Sequence, residues 1–74
     1  MNIITYVGGE DWRGLYVNGV LYHEDHSISG ECMALILHKF QPFERFTKKN
    51  VDQDWMDDRV NLPMDLKDVK FEEN

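Results

Sequence analysis

Two histidines and two carboxylates fall within four consecutive residues, His23-Glu24-Asp25-His26, and the only cysteine of the chain, Cys32, follows nearby. Imidazole and thiolate groups are ligands that zinc prefers. The spacing matches no zinc-binding signature, and the remaining ligands would have to come from elsewhere in the chain. We therefore predict no metal site and no cofactor. His26 is expected to bond nearby loop backbone, and Cys32 to pack as a small buried hydrophobe.

A second candidate for chemistry is a group of carboxylates, Asp54, Asp57 and Asp58, which resembles paired carboxylates on a helix. Acid–base catalysis needs such groups in a sheltered cleft that separates their pKa values. A chain of 74 residues has little room for that cleft. No Ser/His/Asp or Cys/His arrangement for nucleophilic catalysis is recognisable either. We therefore predict that the protein is not an enzyme.

The stretch from Gly8 to Gly14 is rich in glycine and surrounds Trp12. It is not a phosphate-binding loop, because it lacks the Lys-Ser/Thr ending and because Glu10 and Asp11 would repel a phosphate. We predict that it connects two strands and that Trp12 packs on the sheet. Stacking of a ligand on Trp12 is the alternative.

Length and charge limit the class of protein that could carry these groups. Seventy-four residues, of which 42% are hydrophobic, allow one small domain. The net charge of −6 argues against direct binding to a nucleic-acid backbone. The longest apolar run, Cys32 to Leu37, is too short to span a bilayer, so no membrane association is expected. The lone thiol and the absence of a recognisable signal peptide predict a cytoplasmic protein.

The clearest structural signal is Asn18-Gly19, which lies between two apolar runs. Asn-Gly tolerates the positive φ angles of a type I′ turn, so residues 15–22 are predicted to form a β-hairpin. The pairs expected across the turn are Val17 with Val20, Tyr16 with Leu21, and Leu15 with Tyr22. Residues 3–7 are rich in β-branched and aromatic side chains and should supply a third strand.

A helix is predicted at about residues 30–40, because Ser29 is a good N-cap and the apolar residues Met33, Ile36, Leu37 and Phe40 have helical spacing. Residues 43–51 are predicted to be an edge strand. Asp52 could cap a short helix through Trp55, Met56 and Val60, which Leu62-Pro63 would end. Residues 64–69 could form a helical turn or an extended arm.

Residues 1–74 are therefore predicted to be a single α+β domain in which residues 71–74 fray. Its small antiparallel sheet would have three to four strands, including the hairpin at Asn18-Gly19. One helix would pack on the sheet, followed by a short C-terminal helical segment.

Most of the net charge lies in the last third of the chain. Residues 52–74 carry eight acids against three bases, whereas a basic cluster precedes them: Lys39, Arg45, Lys48 and Lys49. One interpretation is a solvated surface with internal neutralisation. The other is an acidic docking surface centred on Trp55, since aromatic anchors surrounded by charge are typical of interface hot spots.

Residues 11–22 read D-W-R-G-L-Y-V-N-G-V-L-Y, and residues 26–29 read H-S-I-S. A later acidic segment holds Asp54-Trp55, the pair Leu62-Pro63 and a D-L-x-D-V pattern at residues 65–69. Over most of its length the chain therefore resembles small uncharacterised proteins that are common in phages and prophage regions. The resemblance implies a fold and a genomic setting, and it brings no catalytic residues with it.

These observations predict a non-catalytic protein that binds another protein, which in the phage setting would be a host enzyme or defence factor. The predicted binding residues are Trp55, Asp52, Asp54, Asp57, Asp58, Trp12 and His26. One alternative is a mimic of nucleic-acid charge, in which the acids of residues 52–73 stand in for phosphates. Another is a homo-oligomer that binds a small ligand between subunits near Trp12 and His26.

Overall fold

Seven elements of secondary structure follow one another in the computed structural model, which describes residues 2–72. The strands are β1 (Asn2–Gly8), β2 (Arg13–Val17), β3 (Val20–Asp25) and β4 (Phe43–Asn50). The helices are α1 (Gly30–Lys39), the short α2 (Gln53–Asp57) and a 3₁₀ turn at Leu66–Asp68. The predicted α+β class is confirmed, since a four-stranded mixed sheet carries one main helix and a short C-terminal helical part.

The hairpin of β2 and β3 turns at Asn18-Gly19, as predicted. Asn18 has a φ of 53° and Gly19 a φ of 83°, which are the positive values that a type I′ turn requires. The expected pairs Val17 with Val20 and Tyr16 with Leu21 both form. The predicted pair of Leu15 with Tyr22 is wrong, because the ladder shifts between Leu15 and Tyr16 and sets Leu15 against His23.

The fourth strand runs in a direction that the sequence did not predict. Because α1 carries the chain back along the sheet, β4 enters beside β1 and parallel to it, from the pair Asn2–Phe43 to the pair Gly8–Asn50. The strand order is β3-β2-β1-β4, so the sheet is mixed where we expected an antiparallel one. The predicted edge position of β4 is confirmed.

Both faces of the sheet are covered. On one face, α1 packs Ile36 against Ile4 and Leu15. On the other face, the chain after β4 packs against Val7 and Tyr16, and the buried residues it contributes are Val51, Met56, Leu62 and Val69. Successive residues of a strand point to opposite faces, which is why Leu15 and Tyr16 belong to different clusters. The two central strands, β1 and β2, are thereby buried on both sides.

The C-terminal arm, residues 62–72, reaches both edges of the sheet as it crosses the second face. At the β3 edge, Leu21 N donates to Met64 O at 2.8 Å. At the β4 edge, Glu72 N donates to Asn50 O at 2.9 Å. The arm therefore closes the fold across four strands that precede it in the chain.

The end of this arm differs from its prediction. The sequence predicts fraying over residues 71–74, but Phe71 forms an antiparallel bridge with Val51 and packs against the apolar cluster of the second face. The Lys49 ammonium lies over the Phe71 ring, 4.8 Å from the ring centroid. Glu73 and Asn74 lie outside the described residues.

Two predicted caps begin the helices. The Ser29 hydroxyl accepts from Cys32 N at 3.1 Å, so α1 begins at Gly30. The Asp52 carboxylate accepts from Trp55 N at 3.3 Å, which starts α2 at Gln53. Each side chain satisfies a backbone N–H that the first turn of a helix leaves without a partner. The predicted extension of the second helix to Val60 is wrong, because α2 ends at Asp57 and Val60 is exposed. Within residues 2–72, no helix is long and apolar enough to cross a membrane.

Candidate functional site

The histidines and the cysteine do not converge on one point. Cys32 Sγ lies 4.0 Å from His23 Nε2, and Cys32 is half-buried among the apolar residues beneath α1. His26 instead packs edge-on against Trp12, with ring centroids 4.9 Å apart. Among the residues that the structure describes, no group of three or more His, Cys, Asp or Glu side chains could hold a metal ion.

Trp12 is held by internal bonds. Its indole Nε1 donates to Glu24 Oε1 at 2.7 Å, and the same oxygen accepts from Leu62 N at 3.0 Å. His26 Nδ1 lies 3.2 Å from the backbone oxygen of Asp11, as expected for a residue that bonds nearby loop backbone. The half-buried Trp12 ring also packs against the apolar cluster on the sheet face opposite α1. Since the Trp12 ring packs against the apolar cluster and against His26, packing on the sheet accounts for it better than stacking on a ligand.

Arg13 completes this junction. Its guanidinium donates to the backbone oxygens of Glu10, at 3.1 Å, and of His26, at 2.8 Å. The loop before β2 and the end of β3 are thereby joined. The residues that the sequence marked as a candidate ligand site form a structural connection between these two segments and the C-terminal arm.

The centre of the predicted acidic surface is built into the fold. Trp55 is half-buried against the second apolar cluster, and the Arg59 guanidinium carbon lies 4.9 Å from its ring centroid. Asp52 caps α2 and forms an ion pair with Lys70 at 3.7 Å. Both residues therefore have structural contacts that would exist without any partner.

The other three predicted carboxylates lie on the surface. Asp54, Asp57 and Asp58 are exposed on α2 and just after it. Asp57 accepts from Gln53 Nε2 at 2.8 Å, across one turn of the helix. These side chains could meet a partner without rearrangement of the fold, and their role in binding stays a prediction.

An open groove of about 620 Å³ lies beside α2, where β1 and β4 end. Four carboxylates line it together with the Lys70 ammonium: Glu10, Asp52, Asp54 and Glu72. The groove opens to solvent on the protein surface, and its walls include Gly8 and Gly9. It offers none of the sheltered pairing of acid and base that proton transfer would need.

One polar group is buried in the core of the fold. Burial, and then the nearby carboxylate of Glu24, raises the pKa of Tyr16 above its ordinary value. The Tyr16 hydroxyl donates to Pro63 O at 2.6 Å, which fixes the C-terminal arm over the sheet. The protonated phenol is the form that this bond requires, so the group has a structural role.

The edge strand β4 is exposed along most of its length, and sequence reasoning identified it as an edge but not as a site. Seven of its eight residues are exposed, and Thr47 is half-buried. Phe43 and Phe46 are 37% and 41% exposed. The three cations of the strand, Arg45, Lys48 and Lys49, are exposed as well. β4 is thus a basic edge strand with two accessible aromatic rings.

Comparison of the chain with protein-family models, with curated proteins and with solved structures gives no significant match. The resemblance to small phage proteins therefore stays a prediction, and function has to be inferred from the geometry described above.

Proposed function

We propose that this chain is a non-catalytic protein that acts by binding another protein, and that the outer edge of β4 is its main contact surface. One observation carries the proposal. Between Phe43 and Lys49, no other strand within residues 2–72 pairs with that edge, although every side chain there except Thr47 is exposed. An open edge offers a row of backbone donors and acceptors that a strand from another chain can pair with.

The polar groups near the core have internal partners and the candidate carboxylates Asp54, Asp57 and Asp58 are exposed, which favours binding over chemistry. Trp12, Glu24 and Tyr16 bond to other parts of the fold, and the carboxylates near α2 line an open groove. If the resemblance to phage proteins holds, the partner is a host protein or a defence factor, bound in the host cytoplasm.

The exposed carboxylates of α2 are a second candidate contact surface. Asp54, Asp57 and Asp58 are exposed, so they could steer a basic partner or imitate phosphates. Binding of a small ligand near Trp12 and His26 is less well supported, because the two rings pack against each other and Trp12 also packs against the apolar cluster. Substitutions in β4 and in α2 therefore distinguish the two candidate surfaces.

The test is capture of a partner from a bacterial host lysate, followed by native mass spectrometry of the complex. We compare the wild-type protein with Lys48→Pro, since proline removes one outward N–H and is tolerated on an edge strand where that group faces solvent. The partner should be lost from Lys48→Pro. It should be retained by the control variant Lys67→Glu, which changes an exposed residue outside β4.

Unfolding curves of each variant check that the fold survives. Capture of the same partner by wild-type and Lys48→Pro proteins, with loss of capture in Asp57→Lys with Asp58→Lys, would contradict the β4 proposal and assign the interface to α2.

A further inference from the structure

The backbone of β4 alternates between its two edges, and this alternation identifies the groups available to a partner. Val51 N donates to Gly8 O at 3.0 Å, so the backbone groups of residue 51 face β1. Residues two apart in a strand face the same way, and adjacent residues face opposite ways. The N–H and C=O groups of Phe46 and Lys48 consequently face outward, on the open edge.

The C-terminal arm already uses the end of this edge. Glu72 N donates to Asn50 O, and Asp52 N donates to Lys70 O, each at 2.9 Å. These bonds flank the antiparallel bridge between Val51 and Phe71. The outer edge of β4 thus accepts an antiparallel strand at one end, and among residues 2–72 nothing pairs with the edge before Asn50.

The side chains of β4 alternate between the two faces of the sheet. Phe46 pairs with Ile4, and Lys48 with Tyr6, so both lie on the α1 side of the sheet. Lys49 lies on the opposite side, where its ammonium covers the ring of Phe71. A strand added to this edge would meet cations on both faces and an aromatic ring on the α1 face.

Charge selects the kind of strand that fits. The edge has three exposed cations, Arg45, Lys48 and Lys49, against the single carboxylate of Glu44, although the whole chain has a net charge of −6. Lysine on an edge strand discourages neutral or basic strands from pairing, because the ammonium groups would be desolvated or repelled. Carboxylates on the incoming strand turn the same groups into favourable cross-strand pairs.

We infer that the β4 edge binds an extended acidic segment of a partner protein, which adds antiparallel to Arg45–Lys49 as a fifth strand. This inference rests on the proposed function and names the chemistry of its partner. Added antiparallel, the segment has acids opposite Lys49 and Lys48, an apolar residue opposite Phe46 and an acid opposite Arg45.

A second copy of this chain fits the edge less well. Two β4 strands would place three cations from each copy in one ladder, with only one carboxylate from each to offset them. Like charges on directly opposite residues destabilise a strand pair. The bulge beside Asn2 and Ile3 also disturbs the strand near Glu44, the one acid that could compensate.

The experiment measures binding of a labelled peptide to the full-length protein by fluorescence anisotropy. The acidic peptide has, in order, two acids, a threonine, a phenylalanine and an acid between neutral ends. A matched peptide replaces the acids with lysines, and a third is the acidic peptide with its strand-facing amides methylated. The expected ratio of affinities between acidic and basic peptides is about tenfold or more at low salt.

Variants and spectra locate the site. Lys48→Glu should weaken the acidic peptide several-fold, whereas Lys67→Glu, with the same charge change on another surface, should leave its affinity nearly unchanged. Backbone amide signals of Phe46 and Lys48 should shift on binding. Methylation of the peptide should abolish the interaction, because the ladder bonds cannot form.

The outcomes separate the inference from the proposed function. Equal binding of acidic and basic peptides at β4 would overturn the acidic partner but leave the edge as the contact surface. No binding of any peptide would overturn the inference, and the capture experiment with Lys48→Pro then decides the proposed function. Binding of single-stranded nucleic acid that displaces the acidic peptide would overturn the inference and make the edge a nucleic-acid surface.

Discussion

Substitution of Gly19 by valine tests whether the hairpin turn organises the sheet. Gly19 has a φ of 83°, a conformation that L-residues with branched side chains rarely adopt. A Cβ built at this position meets no atom within 4 Å, so steric collision with other residues contributes nothing. The cost is the backbone strain alone, about 1–3 kcal/mol of the free energy of unfolding.

Gly30 provides the matched control. A Cβ there also meets nothing within 4 Å, and its φ lies outside the positive range in which the turn residues fall. Gly30→Ala should therefore leave the stability unchanged or raise it by about 0.4–1 kcal/mol, through a less flexible unfolded chain. Both sites have free space for a Cβ, and they differ in the sign of φ.

The turn also supports β1, so its distortion should reach beyond the hairpin. The Asn18 side chain accepts from Ile3 N at 2.8 Å and donates to Asn2 Oδ1 at 2.9 Å. For a domain of this size, each kcal/mol corresponds to about 4–8 °C in Tm. We expect Gly19→Val to lower Tm by roughly 4–24 °C, measured by circular dichroism. An unchanged Tm, or an equal loss in Gly30→Ala, would refute the turn assignment.

Three further outcomes are expected. Tyr16→Phe should lower the free energy of unfolding by about 1–2 kcal/mol in urea titrations, because Pro63 O loses its donor. The raised pKa of Tyr16 makes its contribution complete below about pH 10 and lost at higher pH, so the Phe variant should show a smaller alkaline loss of stability. A strong chelator should leave the far-ultraviolet dichroism unchanged; structure that chelation removes and zinc restores would promote His23, His26 and Cys32 to ligands. If α2 steers association, Asp57→Lys with Asp58→Lys should slow the on-rate measured by stopped flow, with little change in the off-rate.

Local signals predicted much of the fold. Asn18-Gly19 determines a turn through the φ angles that it tolerates, and Ser29 and Asp52 cap helices through bonds to residues three positions away. These are short-range effects that the sequence displays directly. The edge position of β4 followed from its mixture of charged and apolar residues.

Long-range pairing could not be predicted in the same way. The direction of β4 depends on how α1 crosses the sheet, and a parallel neighbour of β1 leaves no local mark in the sequence. The shift between Leu15 and Tyr16 is likewise a property of two strands together. The C-terminal arm crosses the sheet through contacts such as Tyr16 with Pro63, which are 47 residues apart.

The candidate site shows the same division. The sequence marked Trp55 as the centre of an acidic docking surface because acids surround it, and the structure half-buries its ring against the core and beside Arg59. Composition describes which charges are near in the chain but not which face of a short helix is covered. The open edge of β4 became a candidate only once its pairing with β1 was known.

The most direct measurement of the central claim is backbone amide hydrogen exchange, recorded residue by residue in the free protein and in complex with the captured partner. The N–H groups of Phe46 and Lys48 face outward on an open edge, so they should exchange fast in the free protein. We expect both to become protected in the complex, while the amides around Asp57 and Asp58 keep their rates. Unchanged exchange at Phe46 and Lys48, with new protection confined to α2, would contradict the claim that β4 binds the partner.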